Sequence, residues 1–369
     1  MKITFLIGNG FDVGLGIKSS YSSFYEWYCD TPSASDHIAK FKQEIKEELN
    51  SDIPPEEKTW ADFEIGLGKY TEKFTKETVD KYIDCYEDAQ ENIAQYLRSQ
   101  EAVFSPNDYT DDSYATFRRS MWNFFDEVAD REKNIIKDNI NSVVTEHKEI
   151  SVVSFNYTNS LERILEKIPN ESLSTWKVSG NTFAYRLNRN IIHAHGTTSA
   201  FPILGVNDES QIANKELLET PQFKEMLLKP ESVNALGELW HSRAEEQISN
   251  SRFVCVLGMS LGESDAKWWR KLNQWLKAGD KRHLIIYWYE KNPPNGVSVA
   301  KQLRCINKVK DKLLSFSNFS ENEANSIRNR IHVVINTKVF LQLQKKPAEL
   351  PIPEVATKEE LEELLEPAL

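Results

Sequence analysis

Residues 2–12 read KITFLIGNGFD. A basic residue leads into a short, mostly apolar run, then Gly8 and Gly10 bracket Asn9 ahead of Phe11 and Asp12. Such a run reads as a strand buried on both faces, followed at once by a tight turn into a helix. The two glycines let the backbone bend sharply and lie close to a ligand. A helix that starts near Phe11 turns free N–H groups toward that same space, where they favour an anion such as a dinucleotide pyrophosphate. Asp12 has two roles open to it. It can cap the helix and complement its dipole, or its carboxylate can accept from ribose hydroxyls or orient another polar group, pointing away from the phosphates. Gly8, Gly10 and Gly14 do not have the spacing of a G-x-G-x-x-G fingerprint.

Five further runs resemble the first: residues 151–155, 190–194, 253–257, 284–289 and 331–335, several of them rich in Val and Ile. Helical spacing at residues 161–167 and 266–277 alternates with them. This pattern predicts an α/β fold with a doubly wound, mainly parallel Rossmann-like sheet. A large helical insertion is expected after the first strand, because residues 19–148 lack strand signal. Phe24, Tyr25 and Tyr28 lie at helical spacing, as do Ile38, Phe41, Ile45 and Leu49. So do Tyr82, Tyr86, Ile93 and Leu97, and then Phe117, Met121, Trp122 and Phe125. The core is expected over residues 1–18 and 149–340. A second, shorter insertion is expected near 207–248, with Pro221 and Pro230 as breakers. Residues 341–369 read as a tail: a proline-containing linker and an acidic amphipathic helix suited to docking.

The chain has 369 residues, 40% hydrophobic and 27% charged, with net charge −11. It is long enough for a large core, and its acidic balance argues against a nucleic-acid or anionic-membrane surface. The cysteines at 29, 85, 255 and 305 form no C-x-x-C pair, so neither a zinc ribbon nor a redox dithiol is indicated. Cys255, inside an apolar run, reads as a buried small hydrophobe. No stretch approaches the roughly 20 apolar residues of a membrane helix, and Met1 leads straight into a strand rather than a signal peptide. A cytoplasmic protein, with no membrane partner, is expected.

In a doubly wound sheet, ligands bind beyond the carboxyl ends of the strands. Four such ends carry chemistry. After the first come Gly8 to Asp12; after the second, Asn156, Tyr157 and Thr158; after the third, His195 and Gly196; after the fourth, Gly258, Ser260, Ser264 and Asp265. An amide both donates and accepts, and a histidine with an ordinary pKa near 6.5 suits a general base. His193, on the same face one step deeper, reads as supporting. Ser264 or Asp265 also reads as the cap of the following helix, and Trp268 and Trp269 as core.

Six ordered blocks carry a resemblance: LIGNGFD at 6–12, WADFE at 60–64, SFNYT at 154–158, HGT at 195–197, ILGVND at 203–208 and GMSLGESD at 258–265. They resemble the bacteriophage abortive-infection AbiH family, which is in turn similar to sirtuin-like Rossmann proteins of antiphage defence. The resemblance implies NAD as substrate, cleaved at the nicotinamide–ribose bond to deplete the cofactor in infected cells. It maps a catalytic amide onto Asn156, a general base onto His195, and the nucleotide site onto Gly8, Asn9, Gly10, Phe11, Asp12, Tyr157, Thr158, Gly196, Asp208, Gly258, Ser260 and Asp265. It also implies a phage-derived trigger, and assembly as a homo-oligomer or with a defence-system partner protein. Phe11-Asp12 departs from the usual G-A-G-x-S turn, and the four-cysteine zinc module of deacylases is absent, so neither deacylation nor a metal is expected.

In such a hydrolase, His195 would take a proton from water or a ribose hydroxyl while Asn156 orients it. Asp208 and Asp265 are candidate carboxylates for the ribose or the developing cation; Asp62 and Glu64 are further candidates on the helical insertion. Two alternatives stay open. One is a non-catalytic nucleotide-binding sensor that triggers a toxic partner. The other is a metal-dependent nuclease using Asp12, Asp62, Glu64, His195 and Asp208.

Overall fold

A computed structural model of the chain describes residues 1–54, 57–294 and 296–346. The chain opens with β1 (Lys2–Ile7) and then runs through seven helices: α1 (Gly10–Gly14), α2 (Tyr21–Tyr28), α3 (Asp36–Leu49), α4 (Phe63–Tyr70), α5 (Val79–Val103), α6 (Asp111–Trp122) and α7 (Asp130–Asn141). Next come β2 (Lys148–Ser154), α8 (Ser160–Leu165), β3 (Ser174–Val178), β4 (Asn181–Leu187) and β5 (Ile192–His193). Helices α9 (Pro221–Leu227), α10 (Lys229–Ala235) and α11 (Trp240–Asn250) lead to β6 (Phe253–Leu257). The described fold ends with α12 (Ala266–Lys277), β7 (His283–Trp288), α13 (Val299–Leu314), α14 (Glu321–Arg328) and β8 (Ile331–Ile335).

The strands form one eight-stranded sheet in the order β3-β4-β2-β1-β6-β7-β8, with β5 pairing β2 off that path. Every pairing is parallel except β3 with β4. The fold is therefore α/β with a mostly parallel sheet. Successive strands extend away from β1 on one side through β2 and on the other through β6. β1, bonded on both edges, is the centre, which is why its residues from Ile3 onward are all buried.

Alternation along the strands sends side chains to two separate cores. Ile3, Phe5, Ile7, Cys255, Leu257, Ile285 and Tyr287 face one, covered by α6, α7 and α8 through residues such as Phe117, Met121, Ile136 and Ile164. Leu6, Val254, Val256, Leu284 and Ile286 face the other, covered by α11 to α14 through Ile248, Trp268, Trp269, Leu313 and Ile327. Both tryptophans are fully buried, as the sequence suggested, and removing either ring should cost about 3–5 kcal/mol.

A third core lies beside the sheet. It joins α2 to α5 with residues 204–228, through Phe24, Phe41, Trp60, Phe63, Tyr82, Leu204, Val206, Phe223 and Leu228. The helix α5 ties it down: the Tyr86 hydroxyl bonds the carbonyls of Leu204 and Met226, Gln90 bonds that of Pro202, and Arg98 bonds that of Thr198. The helices between β1 and β2 are thus divided: α2 to α5 build the third core, while α6 and α7 pack on the sheet itself.

Four local expectations need correction. The hairpin β3–β4 has no counterpart in the sequence reading, although Ser179 and Gly180, at φ 49° and 83°, form the kind of two-residue turn that favours hairpins. The run at 190–194 pairs only over Ile192–His193. Strand β2 starts three residues earlier than expected, at Lys148. Pro221 and Pro230 open α9 and α10 at their first turns rather than breaking a helix, because a missing N–H is harmless there. In the tail, Gln344 and Lys346 bond Thr110 and Asp108 backbone groups; the expected amphipathic helix lies outside the described residues.

Candidate functional site

The ends of β1 and β6 are laced together. The N–H groups of Gly8, Gly10 and Phe11 donate to the carbonyls of Leu257, Gly258 and Gly8 at 2.9, 2.8 and 2.9 Å. Gly258 has φ +70°, and a Cβ there would sit 2.6 Å from the Phe11 nitrogen. A Cβ on Gly10 would sit 2.6 Å from the Gly258 Cα. The glycines are needed for this close approach, and in this arrangement those three amides are not free for an anion. Asn9 faces outward, bonding Ser19 through both ends of its amide.

Asp12 is buried and turned toward the loop after β2. Thr158 Oγ1 donates to its Oδ2 at 2.5 Å and Ser160 Oγ to its Oδ1. Burial pushes the carboxyl up to about 6, against the pull of those two hydroxyls. Of the two roles read from the sequence, this geometry fits the one in which Asp12 orients other polar groups. The same loop is held from below. His193 bonds the Asn156 carbonyl through Nδ1 at 3.0 Å and Glu162 through Nε2 at 2.5 Å, an ion pair that raises its pKa against burial. Glu101 accepts from Thr198 Oγ1 and the Asn159 N–H at 2.7 and 2.6 Å.

Ser154 pairs with His193 in the sheet, so Asn156 and His195 each lie two residues beyond that rung, at the same end of neighbouring strands. Both are buried. The His195 ring stands 6.3 Å from Tyr157 and 5.3 Å edge-on to Phe155. Lys229 Nζ, on the fully buried first residue of α10, lies 3.5 Å from His195 Nδ1 and 2.7 Å from Glu64 Oε2. Tyr157 shares its hydroxyl proton between Glu64 Oε1 at 3.2 Å and the Ile203 carbonyl at 2.9 Å. On the far side of the ring, His195 Nε2 is 3.8 Å from Asp265 Oδ1. Among the described residues, His195 Nε2, Asp265 Oδ1, Asn156 Oδ1 and Asn207 Oδ1 meet no hydrogen-bond partner.

Electrostatics are dominated by burial. It pushes Glu64 up to about 8, with Lys229 pulling down and Asp62 and Asp265 pushing up. Asp265 is raised by burial and by Asp62. His195 is driven well below its ordinary value by burial, then by Lys229, His241 and Lys267, so its ring is neutral. Glu64 and Asp265 thus share one ammonium, with Asp62 near enough to raise both.

Glu64, Tyr157, Lys229, His195 and Asp265 are therefore drawn around one locus with Asp62 beside Glu64, whereas the Asn156 side chain lies against Asp12. Asp62 also caps α4, its Oδ1 accepting from the Glu64 and Ile65 N–H groups at 3.1 and 3.3 Å. Gly196, at φ +72°, lets the chain turn beneath the Phe201 carbonyl. Ser260 is exposed on the loop above. Asp208 stands apart, capping a turn through Ser210 and facing Arg270 at 3.4 Å, both half exposed. Its neighbour Asn207 points inward instead, bonding the Ser264 carbonyl. Lys229 and Asn207 escaped the sequence reading. A lysine in LLKP gives no sign of burial, whereas the ND pair gave a signal that was read one residue late. Among the described residues no three His, Cys, Asp or Glu side chains are grouped to hold a metal ion, and no helix is long and apolar enough to cross a membrane. A cavity of about 370 Å³ lies at the opposite end of the strands, by the amino ends of β6 and β7, beside Arg252 and Arg282.

Comparison with curated proteins finds no match. The family model described as bacteriophage abortive infection AbiH matches residues 4–287, which include all six motif blocks, and the chain belongs to that family.

Proposed function

We propose that this chain is the effector of an abortive-infection response and hydrolyses NAD at the nicotinamide–ribose bond. The observation that carries the reading is the set of buried polar atoms without partners, His195 Nε2, Asn156 Oδ1 and Asp265 Oδ1, at the carboxyl ends of three parallel strands. The strand order reverses between β1 and β6, which supports a doubly wound, Rossmann-like reading with residues 19–148 as a helical insertion. A ribose hydroxyl or an attacking water set against His195 and Asp265 would satisfy both orphaned atoms.

In the reaction, the C1′–N bond breaks and its electron pair neutralises the nicotinamide ring. Water bonds C1′ and gives up a proton, leaving ADP-ribose. His195 and Asp265 both face the place where that proton is released. An ionised Asp265 carboxylate beside the site would favour the oxocarbenium-like state, while burial holds Glu64 toward its neutral form. Activation by a phage-derived trigger and assembly with itself or a partner protein belong to the same reading.

The test is to incubate the purified full chain with NAD and follow free nicotinamide, alongside His195→Ala and Asn156→Ala. Release that both substitutions abolish supports the enzyme. A second reading, the nucleotide sensor, is favoured by the neutral, low-pKa His195, which can bond a ligand but is a weak base. It predicts that NAD raises the unfolding temperature of the chain without releasing nicotinamide. The nuclease reading loses support because two of its five residues lie away from the other three, Asp12 serving Thr158 and Ser160 and Asp208 facing Arg270, while Glu64 is taken by Lys229.

A further inference from the structure

Lys229 is the only residue of the locus whose side chain reaches both a carboxylate and the imidazole. An ammonium has three donors and no acceptor. It therefore cannot face a protonated Nδ1 without opposing one donor to another. A neutral imidazole carries its single proton on one nitrogen, chosen by the bond the other makes. Nδ1 faces the ammonium, so the proton belongs on Nε2, which faces Asp265 Oδ1.

We infer that Lys229 is a positioning residue that holds neutral His195 as the Nε2–H tautomer, so that the ring donates to a bound ligand and Asp265 accepts from it. The roles expected for the two residues are thereby exchanged. His195 becomes the group that bonds a ribose or water oxygen, and the carboxylate takes the proton released. Glu64 holds the ammonium in place and Tyr157 holds Glu64, so the orientation is passed along one chain of contacts: Tyr157 to Glu64, Lys229 and His195. The neutral state of the ring, which this requires, follows from its burial and its cationic neighbours. The naming of Asp265 as proton acceptor rests on the proposed hydrolysis. The tautomer does not, and it is measured without NAD.

The experiment is long-range proton–nitrogen NMR of the full chain labelled with ¹⁵N-histidine at neutral pH, with the His195 signals identified by their loss in His195→Gln. The expected result is a protonated Nε2 and an unprotonated Nδ1 in the native chain. Lys229→Met leaves Glu64 buried without its cation, so the Glu64→Gln/Lys229→Met pair of substitutions is examined beside it to preserve folding. In either background the Nε2–H signature should be lost, replaced by Nδ1–H or by averaged signals. Lys229→Arg, which still only donates, should keep it. A native Nδ1–H signature overturns the inference, and so does an Nε2–H signature that survives the loss of Lys229. Neither result bears on whether nicotinamide is released.

Discussion

Two buried polar networks meet at residues 156–160, and they are finished differently. On one side, both oxygens of Asp12 are taken by Thr158 and Ser160, and both ring nitrogens of His193 are bonded. On the other, the His195 nitrogen and the Asp265 oxygen that face each other at 3.8 Å both lack a partner. An unpaired buried polar group costs about 1–3 kcal/mol, so a bound group that paired with His195 and Asp265 would recover that cost. The closed network holds a loop still, and the open one is where the proposed reaction would take place.

The sharpest way to break this comparison is through activity. His195→Ala and Asn156→Ala should each lower nicotinamide release by about 10²–10⁴-fold, the usual range for proton-transfer and orienting groups. Initial rates with NAD measure it, and rates within twofold of native would sink the reading. On the closed side the expected loss is of stability. Asp12→Ala should cost about 2–3 kcal/mol, since two buried hydroxyls lose their acceptor, as read by chemical denaturation.

The same carboxyl gives a pH signature. Its folded pKa, about 6, lies above the ordinary 3.8. The folded state thus holds the proton more tightly, and the stability this adds is complete below pH 3.8 and lost as pH rises through about 6. The span corresponds to about 3 kcal/mol. Asp12→Asn should flatten that fall when unfolding is followed across the window; an identical pH dependence in the variant would contradict the assignment. The smallest effect belongs to Asp208→Ala, which removes a turn cap and a half-exposed ion pair and should cost at most about 1 kcal/mol.

The central strands were legible because burial on both faces leaves continuous runs of Val, Ile and Leu, as in Phe253–Leu257. Helix α12 was legible over its whole length from its spacing. The hairpin β3–β4 was not, because an edge strand such as Ser174–Val178 alternates between half-buried and exposed residues and lacks such a run. The site divides in the same way. Asn156, His195 and Asp265 announce themselves by following strands, a relation visible along the chain. Lys229 does not, since what makes it notable is its contact with Glu64, 165 positions away in sequence. Glu64 itself reads as a helix-surface acid until the third core folds α4 against the strand ends.

That third core has a mechanical consequence. Glu64 and Lys229 ride on elements anchored in its aromatic cluster, whereas His195 and Asp265 ride on the sheet and its α12 side. The 3.5 Å contact between ammonium and imidazole therefore spans a seam between two separately packed bodies. Sliding one body over the other would change that contact together with the bonds from α5 to Thr198 and Asn159, before either core need loosen.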